Sequence, residues 1–367
     1  MNKEQHIETQ RIVALLAQAV HGTAPKKALF DGITDAEWEQ LLELASHHNV
    51  GALAADGIQA LPPENKPSYD IWLKWVALGH TVELQSSNSA KTLAKMLAAF
   101  NKENIDTMVL KGFSLSAHYP IPFHRSFGDI DIYQFGKYKK GDALVRKQFN
   151  ATVSNKVHHH TKYSIQGILV ENHYDFVSRH GHPSSRRFEK LLKKQVKQGA
   201  RQVTFAYEKA FLPSATFNAL FLMRHMAAHF AADRISLRHL CDWLLFVERE
   251  YTQVDWEMVW QQYSKFNMNL FAGAINGILV SLFGADPKKF PTDKADTTLQ
   301  ERVLNEIMYG EFTETCPTKG TCKIVKWKKR RFKANRWKHE ICYSDSYCRT
   351  FFYSAGGHLL KPYTITH

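Results

Sequence analysis

The sequence predicts an α+β fold in which a small mixed β-sheet is set between an N-terminal and a C-terminal helical segment. Three observations carry this. Apolar residues recur at spacings of three and four from Ile7 to about Phe100, short strand-type runs take over from Ile105, and the helical spacing returns after Pro213. The 367 residues divide accordingly into an N-terminal helical region (1–104), a core (105–206), a C-terminal helical region (207–290) and a basic aromatic segment (291–367).

The first twenty residues form an amphipathic helix pattern and lack the charged-then-apolar order of a signal peptide. Thr34-Asp35-Ala36-Glu37 is a capping box, and it introduces the stripe Trp38, Leu41, Leu42 and Ala45. The prolines at 62, 63 and 67 break the helices, because proline supplies no backbone donor, and a long helix follows over 69–101. The run 107–110 is strand-like and ends at Lys111-Gly112, where glycine permits a sharp turn into a helix-like stretch over 113–118. Residues 128–133 alternate polar and apolar, as a half-buried strand does, and 159–165 and 168–177 read as a hairpin turning at Gln166-Gly167. Helices are expected over 217–230, 237–250, 256–266 and 270–282.

With 44% hydrophobic residues the chain can bury one or two cores, while no apolar run approaches the 18 or so residues of a membrane span; a cytoplasmic protein is expected. The five cysteines Cys241, Cys316, Cys322, Cys342 and Cys348 have no paired spacing, so reduced thiols are favoured over a structural zinc. A net charge of +13 fits a polyanionic partner. The tract 323–338, KIVKWKKRRFKANRWK, has nine Lys or Arg and no acid, with Trp327, Phe332 and Trp337 interleaved. It is a candidate polyanion contact, set against a reading in which the aromatics anchor the segment while the lysines stay in water.

The chemistry concentrates at Leu110-Lys111-Gly112 and at 125–132, RSFGDIDI. A lysine beside a glycine turn can hold a triphosphate. Asp129 and Asp131, two apart on a strand, share a face and can hold metal ions about 3.5–4 Å apart, as two-metal phosphoryl chemistry requires. A third carboxylate belongs on an adjacent strand, and Glu171 is placed for it, with Asp175 as fallback. His158-His159-His160 looks like a metal tract, but strand alternation turns the middle ring away from the other two. His225 and His229, on one helical face, suggest a second metal centre with Asp242, set against simple polar contacts at the sheet-to-helix interface.

The stretch LKGFSLSAHYPIPFHRSFGDIDI at 110–132, with VENHYDF at 170–176 and, more weakly, RHMAAHFAADRISLRHLCDWLLF at 224–246, resembles the uncharacterised nucleotidyltransferases of the DNA polymerase beta superfamily. The resemblance implies a nucleotidyltransferase core in which Asp129, Asp131 and Glu171 are catalytic and bind Mg2+ or Mn2+. It places Lys111, Gly112, Ser114, Arg125 and His173 on the nucleotide side, with Ser126 a further hydroxyl. The expected reaction moves an NMP group from a nucleoside triphosphate to an acceptor hydroxyl of a small molecule, protein or RNA, releasing pyrophosphate. Gly112 would let backbone amides and the following helix approach the phosphates, and Lys111 and Arg125 would neutralise them, Arg by a bidentate grip. Lys-Gly stands where the wider superfamily has glycine-serine, and the gap to the first aspartate is longer, so a non-catalytic nucleotide-binding or scaffold protein of the same fold is one alternative. A nucleic-acid-binding protein working through 323–338 is the other. Asp131 is expected to be an exposed ligand, replaceable by Asn without harm to the fold.

Overall fold

A computed structural model of the chain describes residues 2–22, 27–155, 159–179, 182–318 and 320–360. It opens with three helices, α1 (Lys3–His21), α2 (Asp35–His47) and α3 (Gly51–Gln59). Capping boxes start the first two, Asn2 with Gln5 and the expected Thr34 with Glu37. Trp38, Leu41 and Ala45 are buried in one apolar cluster with Ile12, Leu15 and Leu16.

The next helix, α4 (Tyr69–Lys102), is 34 residues long, about 50 Å at the helical rise. It links two cores. Ile71 and Trp75 belong to the cluster of α1–α3, whereas Leu93, Met96, Leu97 and Phe100 lie against the sheet.

The sheet has six strands, β1 (Met108–Val109), β2 (Ile130–Tyr133), β3 (His160–Ile165), β4 (Ile168–His173), β5 (Ala200–Phe205) and β6 (Glu208–Pro213), in the order β3-β4-β2-β1-β6-β5. β2 runs parallel to β4 and β1 parallel to β6, the other neighbours being antiparallel, so the sheet is mixed as expected. The β3–β4 turn falls at Gln166 (φ 53°) and Gly167 (φ 82°), two left-handed residues of the kind a tight hairpin needs. Ile130, Ile132, Tyr163, Ile165 and Val170 face the core formed with α4 and with Leu144 and Val145 of α6 (Tyr138–Phe149). Period-two alternation therefore sends Asp131, Glu171, His173 and His160 to the opposite face. Between β1 and β2 lies the short α5 (Lys111–Ser116).

α7 (Pro183–Gln198) follows β4, and the second face is covered by helices that include α8 (Ala215–Ala232) and α9 (Leu237–Glu250). Next come α10 (Trp256–Lys265), α11 (Asn269–Ile278) and α12 (Thr297–Met308). They share the apolar cluster of α1–α3, and Tyr309 at the end of α12 donates its hydroxyl to the Gln5 carbonyl at 2.8 Å. The last three are α13 (Thr321–Ala334), α14 (Arg336–Cys342) and α15 (Tyr347–Leu360). All five cysteines are unpaired. Among the described residues no helix is long and apolar enough to cross a membrane.

Three features depart from expectation. β4 ends at His173 instead of 177, because the amides of Tyr174 and Asp175 leave the sheet for the His159 carbonyl, at 3.1 and 3.0 Å. Asp129 stands just before β2, not within it. The β5–β6 hairpin was not anticipated, and its turn, Ala206 (φ 48°) and Tyr207 (φ 69°), spans the core boundary expected at 206. Left-handed turns usually carry Gly, Asn or Asp, so Ala-Tyr gave no signal.

The contact between α1 and α3 requires a glycine. A Cβ on Gly57 would run into the Leu15 carbonyl group, within 2.7 Å of its carbon and 2.9 Å of the Leu15 Cα. Backbone cannot rotate aside, so Gly57→Ala is expected to lower stability by about 1–3 kcal/mol in urea unfolding; an unchanged midpoint would contradict this packing.

Candidate active site

A cavity of about 530 Å³ opens between the polar face of the sheet and α8 and α9. Asp129, Asp131, Glu171, His173, Lys111, Gly112 and Arg125 all line it. The register of β2 on β4 sets Asp131 directly beside Glu171, and donor atoms of Asp131, Glu171 and His173 come within 4.8 Å of one another. Asp129 shares the cavity without belonging to that close trio.

Asp131 is 4% exposed, and its Oδ1 receives Lys111 Nζ at 2.7 Å and meets His173 Nε2 at 2.8 Å. Burial opposes a charge there, but Lys111 and His173 outweigh it and hold the carboxyl below the usual range. The expectation of an exposed ligand is thus corrected. Removing this charge would leave Lys111 buried without its partner, a change that typically destabilises by about 3–5 kcal/mol. Glu171 pairs with Lys162 at 2.6 Å and stands 3.3 Å from His160.

Lys111 reaches Asp131 because it turns the chain itself. It is the left-handed residue at the end of β1 (φ 39°), and Gly112 has no positive φ. Glycine is needed at 112 for a different reason: a Cβ would approach the Phe127 ring to 3.1 Å and Arg125 Nη1 to 3.4 Å. Phe113 stacks on Phe127 at 4.3 Å between centroids and so clamps the 125–128 loop against α5.

Several expected roles are corrected. The Arg125 fork already grips Asp242, with Nε and Nη2 each 2.8 Å from a carboxylate oxygen, so its bidentate capacity is taken. Tyr119 and Arg238 bond the same carboxylate, at 2.8 and 3.3 Å, and this removes Asp242 from the suggested metal centre with His225 and His229. Those two rings lie 4.4 Å apart, His239 joins them at 6.3 Å from each, and all three line the cavity. Ser114 donates to the Lys111 carbonyl at 2.8 Å and lines a separate cavity with His118 and Ser214, away from the carboxylates. Asp175, the fallback acid, pairs with Lys193 and with Arg179 outside the cavity lining. His158 lies outside the described residues. His159 precedes β3, so strand alternation does not govern it, and its ring packs 4.2 Å from that of His160. Arg238, a basic group of the cavity wall, was not anticipated; its signal was only its place one turn before Asp242.

The aromatics of the basic tract are anchored. Trp327 donates its indole N–H to the Glu314 carbonyl at 2.9 Å, Phe332 stacks on Tyr347, and Trp337 bonds Glu311 and packs on Phe230. Lys338 is buried against Glu306. Lys323, Lys326, Lys329 and Lys333 remain exposed, while Trp327 is buried and Phe332 and Trp337 are half-buried.

Burial, and after it the charge of Asp131, lifts the Asp129 carboxyl to about 6. A carboxyl whose folded pKa exceeds its unfolded value binds protons more readily when folded. Its ionised form therefore destabilises the protein at neutral pH, and the penalty disappears as pH falls below about 4, where both states are protonated. Asp129→Asn is expected to raise stability at pH 7.5 by on the order of 2 kcal/mol, with the gain shrinking toward pH 4; an equal or lower stability at pH 7.5 would refute the electrostatic account.

Residues 34–284 match the family model of the uncharacterised nucleotidyltransferases. A solved structure, an antigenic nucleotidyltransferase-like protein from Paracoccidioides brasiliensis, is similar at 14% identity over 44% of this chain and 77% of that one, with a TM-score of 0.31. No curated protein matches. Because the family match spans well over half the sequence and includes the whole carboxylate face of the sheet, the chain belongs to the uncharacterised nucleotidyltransferase family.

Proposed function

We propose that this protein transfers a nucleotidyl group from a nucleoside triphosphate to an acceptor hydroxyl with release of pyrophosphate. The observation that carries the reading is the pairing of Asp131 with Glu171 on adjacent parallel strands, facing a cavity that also holds Asp129 and the Lys111-Gly112 turn. The donor set fits a hard divalent ion, since carboxylate oxygens suit Mg2+ and Mn2+, and the adjacent His173 imidazole favours Mn2+ of the two. Asp129, Asp131 and Glu171 would hold the ions. Such ions, when bound, lower the pKa of the attacking hydroxyl and offset charge on the leaving pyrophosphate.

The remaining chemistry belongs to the chain. Lys111 supplies a positive charge at the cavity floor for the triphosphate, within reach of both carboxylate and phosphate. Arg238 adds a second from the opposite wall, being 22% exposed and only singly bonded to Asp242. Gly112 keeps the 125–128 loop close, and Arg125 acts through Asp242, fixing α9 to that loop so that Arg238 stays in place. His225 and His229 line the α8 wall across from the carboxylates, where an acceptor or a base would lie.

The full-length protein should be screened with the four ribonucleoside triphosphates and Mg2+ or Mn2+, following liberated pyrophosphate. At least one triphosphate is expected to give metal-dependent turnover, and Asp129→Asn is expected to abolish it while the variant is more stable than the parent at pH 7.5. Nucleotide binding without turnover, unchanged in that variant, would favour the non-catalytic reading. Asp129 is the better probe than Asp131, whose loss disturbs the buried pair with Lys111.

A further inference from the structure

Three imidazoles crowd the β3 side of the cavity. His160 and His173 are paired across β3 and β4 with centroids 5.0 Å apart, and the His159 ring stands 4.2 Å from the first and 5.6 Å from the second. One nitrogen from each lies within 4.8 Å of the other two. Nδ1 of His159 and both nitrogens of His160 are buried without a hydrogen-bond partner. An unsatisfied buried polar atom costs about 1–3 kcal/mol, and because a neutral imidazole carries one lone pair and one N–H, these atoms offer one lone pair on His160 and, in the tautomer protonated at Nε2, one on His159, neither spent on the fold.

The surroundings are those of a ligand set. His173 Nδ1 is 3.2 Å from the Asp175 carbonyl, an outer contact that orients the ring, and its Nε2 meets Asp131 Oδ1 at 2.8 Å, so a bound ion would displace the Nε2 proton and take that nitrogen from Asp131. Glu171 Oε1 lies 3.3 Å from His160 Nε2 without hydrogen-bond geometry and supplies a negative charge. The cations facing the cluster are Lys111, held by Asp131, and Lys162, which is 36% exposed and can leave Glu171 for solvent.

We propose that His159, His160 and His173, with Glu171 as fourth donor, form a nitrogen-rich site for a divalent transition ion of the zinc class, beside the oxygen donors Asp129 and Asp131. Imidazole-rich sets suit zinc, nickel and copper, whereas magnesium keeps to oxygen. Tetrahedral zinc with bonds of 2.0–2.1 Å separates its donors by about 3.4 Å, so the nitrogens need to close by at most about 1.4 Å. His159 can supply this movement because it is outside the strand. The bound ion would tie the entry of β3 to β4 and shape the cavity edge. The site shares Glu171 with the carboxylate set, Oε1 lying toward His160, and since the inference concerns binding alone it stands whether or not nucleotidyl transfer occurs.

The test uses metal-depleted full-length protein. Zn2+ is titrated by calorimetry in excess Mg2+, Co2+ by visible absorption, and the fold of each variant is read by circular dichroism. One equivalent of each ion is expected, with the ligand-field bands of a four-coordinate nitrogen and oxygen site, and at least about a tenfold loss of affinity in His159→Gln and His160→Gln. Only His159→Gln need remain folded to decide the matter, since that ring is half-buried. Failure to take up zinc, an affinity unchanged in folded His159→Gln, or a thiolate-to-cobalt charge-transfer band from the exposed Cys316, Cys322 or Cys348 would each overturn the proposal.

Discussion

The site depends on one buried charge. Asp131 sits in the middle of the sheet at 4% exposure, and a carboxylate in that place is tolerable only because Lys111 and His173 meet the same oxygen. Each partner is delivered by backbone geometry: Lys111 by its left-handed turn at the end of β1, His173 by the register of β4 on β2. Such a buried ion pair seldom adds net stability over apolar residues of the same size. Its presence in the cavity wall, with the elevated Asp129 carboxyl uncomfortable in its charged form beside it, supports the proposed use of this face.

The rest of the architecture holds that face in position. The apolar side of β2, β3 and β4 is locked to the second half of α4, and the first half of the same helix is locked to α1–α3. Helices from both ends of the chain share one core, so the wall formed by α8 and α9 is fixed relative to the sheet by packing remote from the cavity. The Arg125–Asp242 bridge closes the arrangement locally, joining the loop before Asp129 to α9. It carries Tyr119 and Arg238 with it.

What was legible in the sequence is what local physics determines. Capping residues mark the starts of helices and Gln166-Gly167 marks the hairpin, whereas period-two alternation, which would pair Asp129 with Asp131, holds only for Asp131, because Asp129 stands before the strand. What was hidden depends on tertiary partners. No spacing rule tells that Arg125 spends its fork on Asp242, that Ser114 turns toward the backbone, or that Lys111 instead of Gly112 takes the positive φ. The β5–β6 hairpin escaped because Ala206 and Tyr207 adopt the conformation usually left to glycine and asparagine. The histidine cluster is hidden because His159 lies one residue before the strand begins, where alternation does not hold.

The central claim is that Asp131 and Glu171 form the metal-holding floor of a triphosphate cavity. It is tested most directly by crystals grown with Mn2+ and a non-hydrolysable nucleoside triphosphate analogue, with Mn located by anomalous scattering. The account predicts an anomalous peak within bonding distance of both carboxylates and the triphosphate laid against Lys111 and Gly112. A peak away from that pair, or an analogue bound outside the cavity, would contradict it.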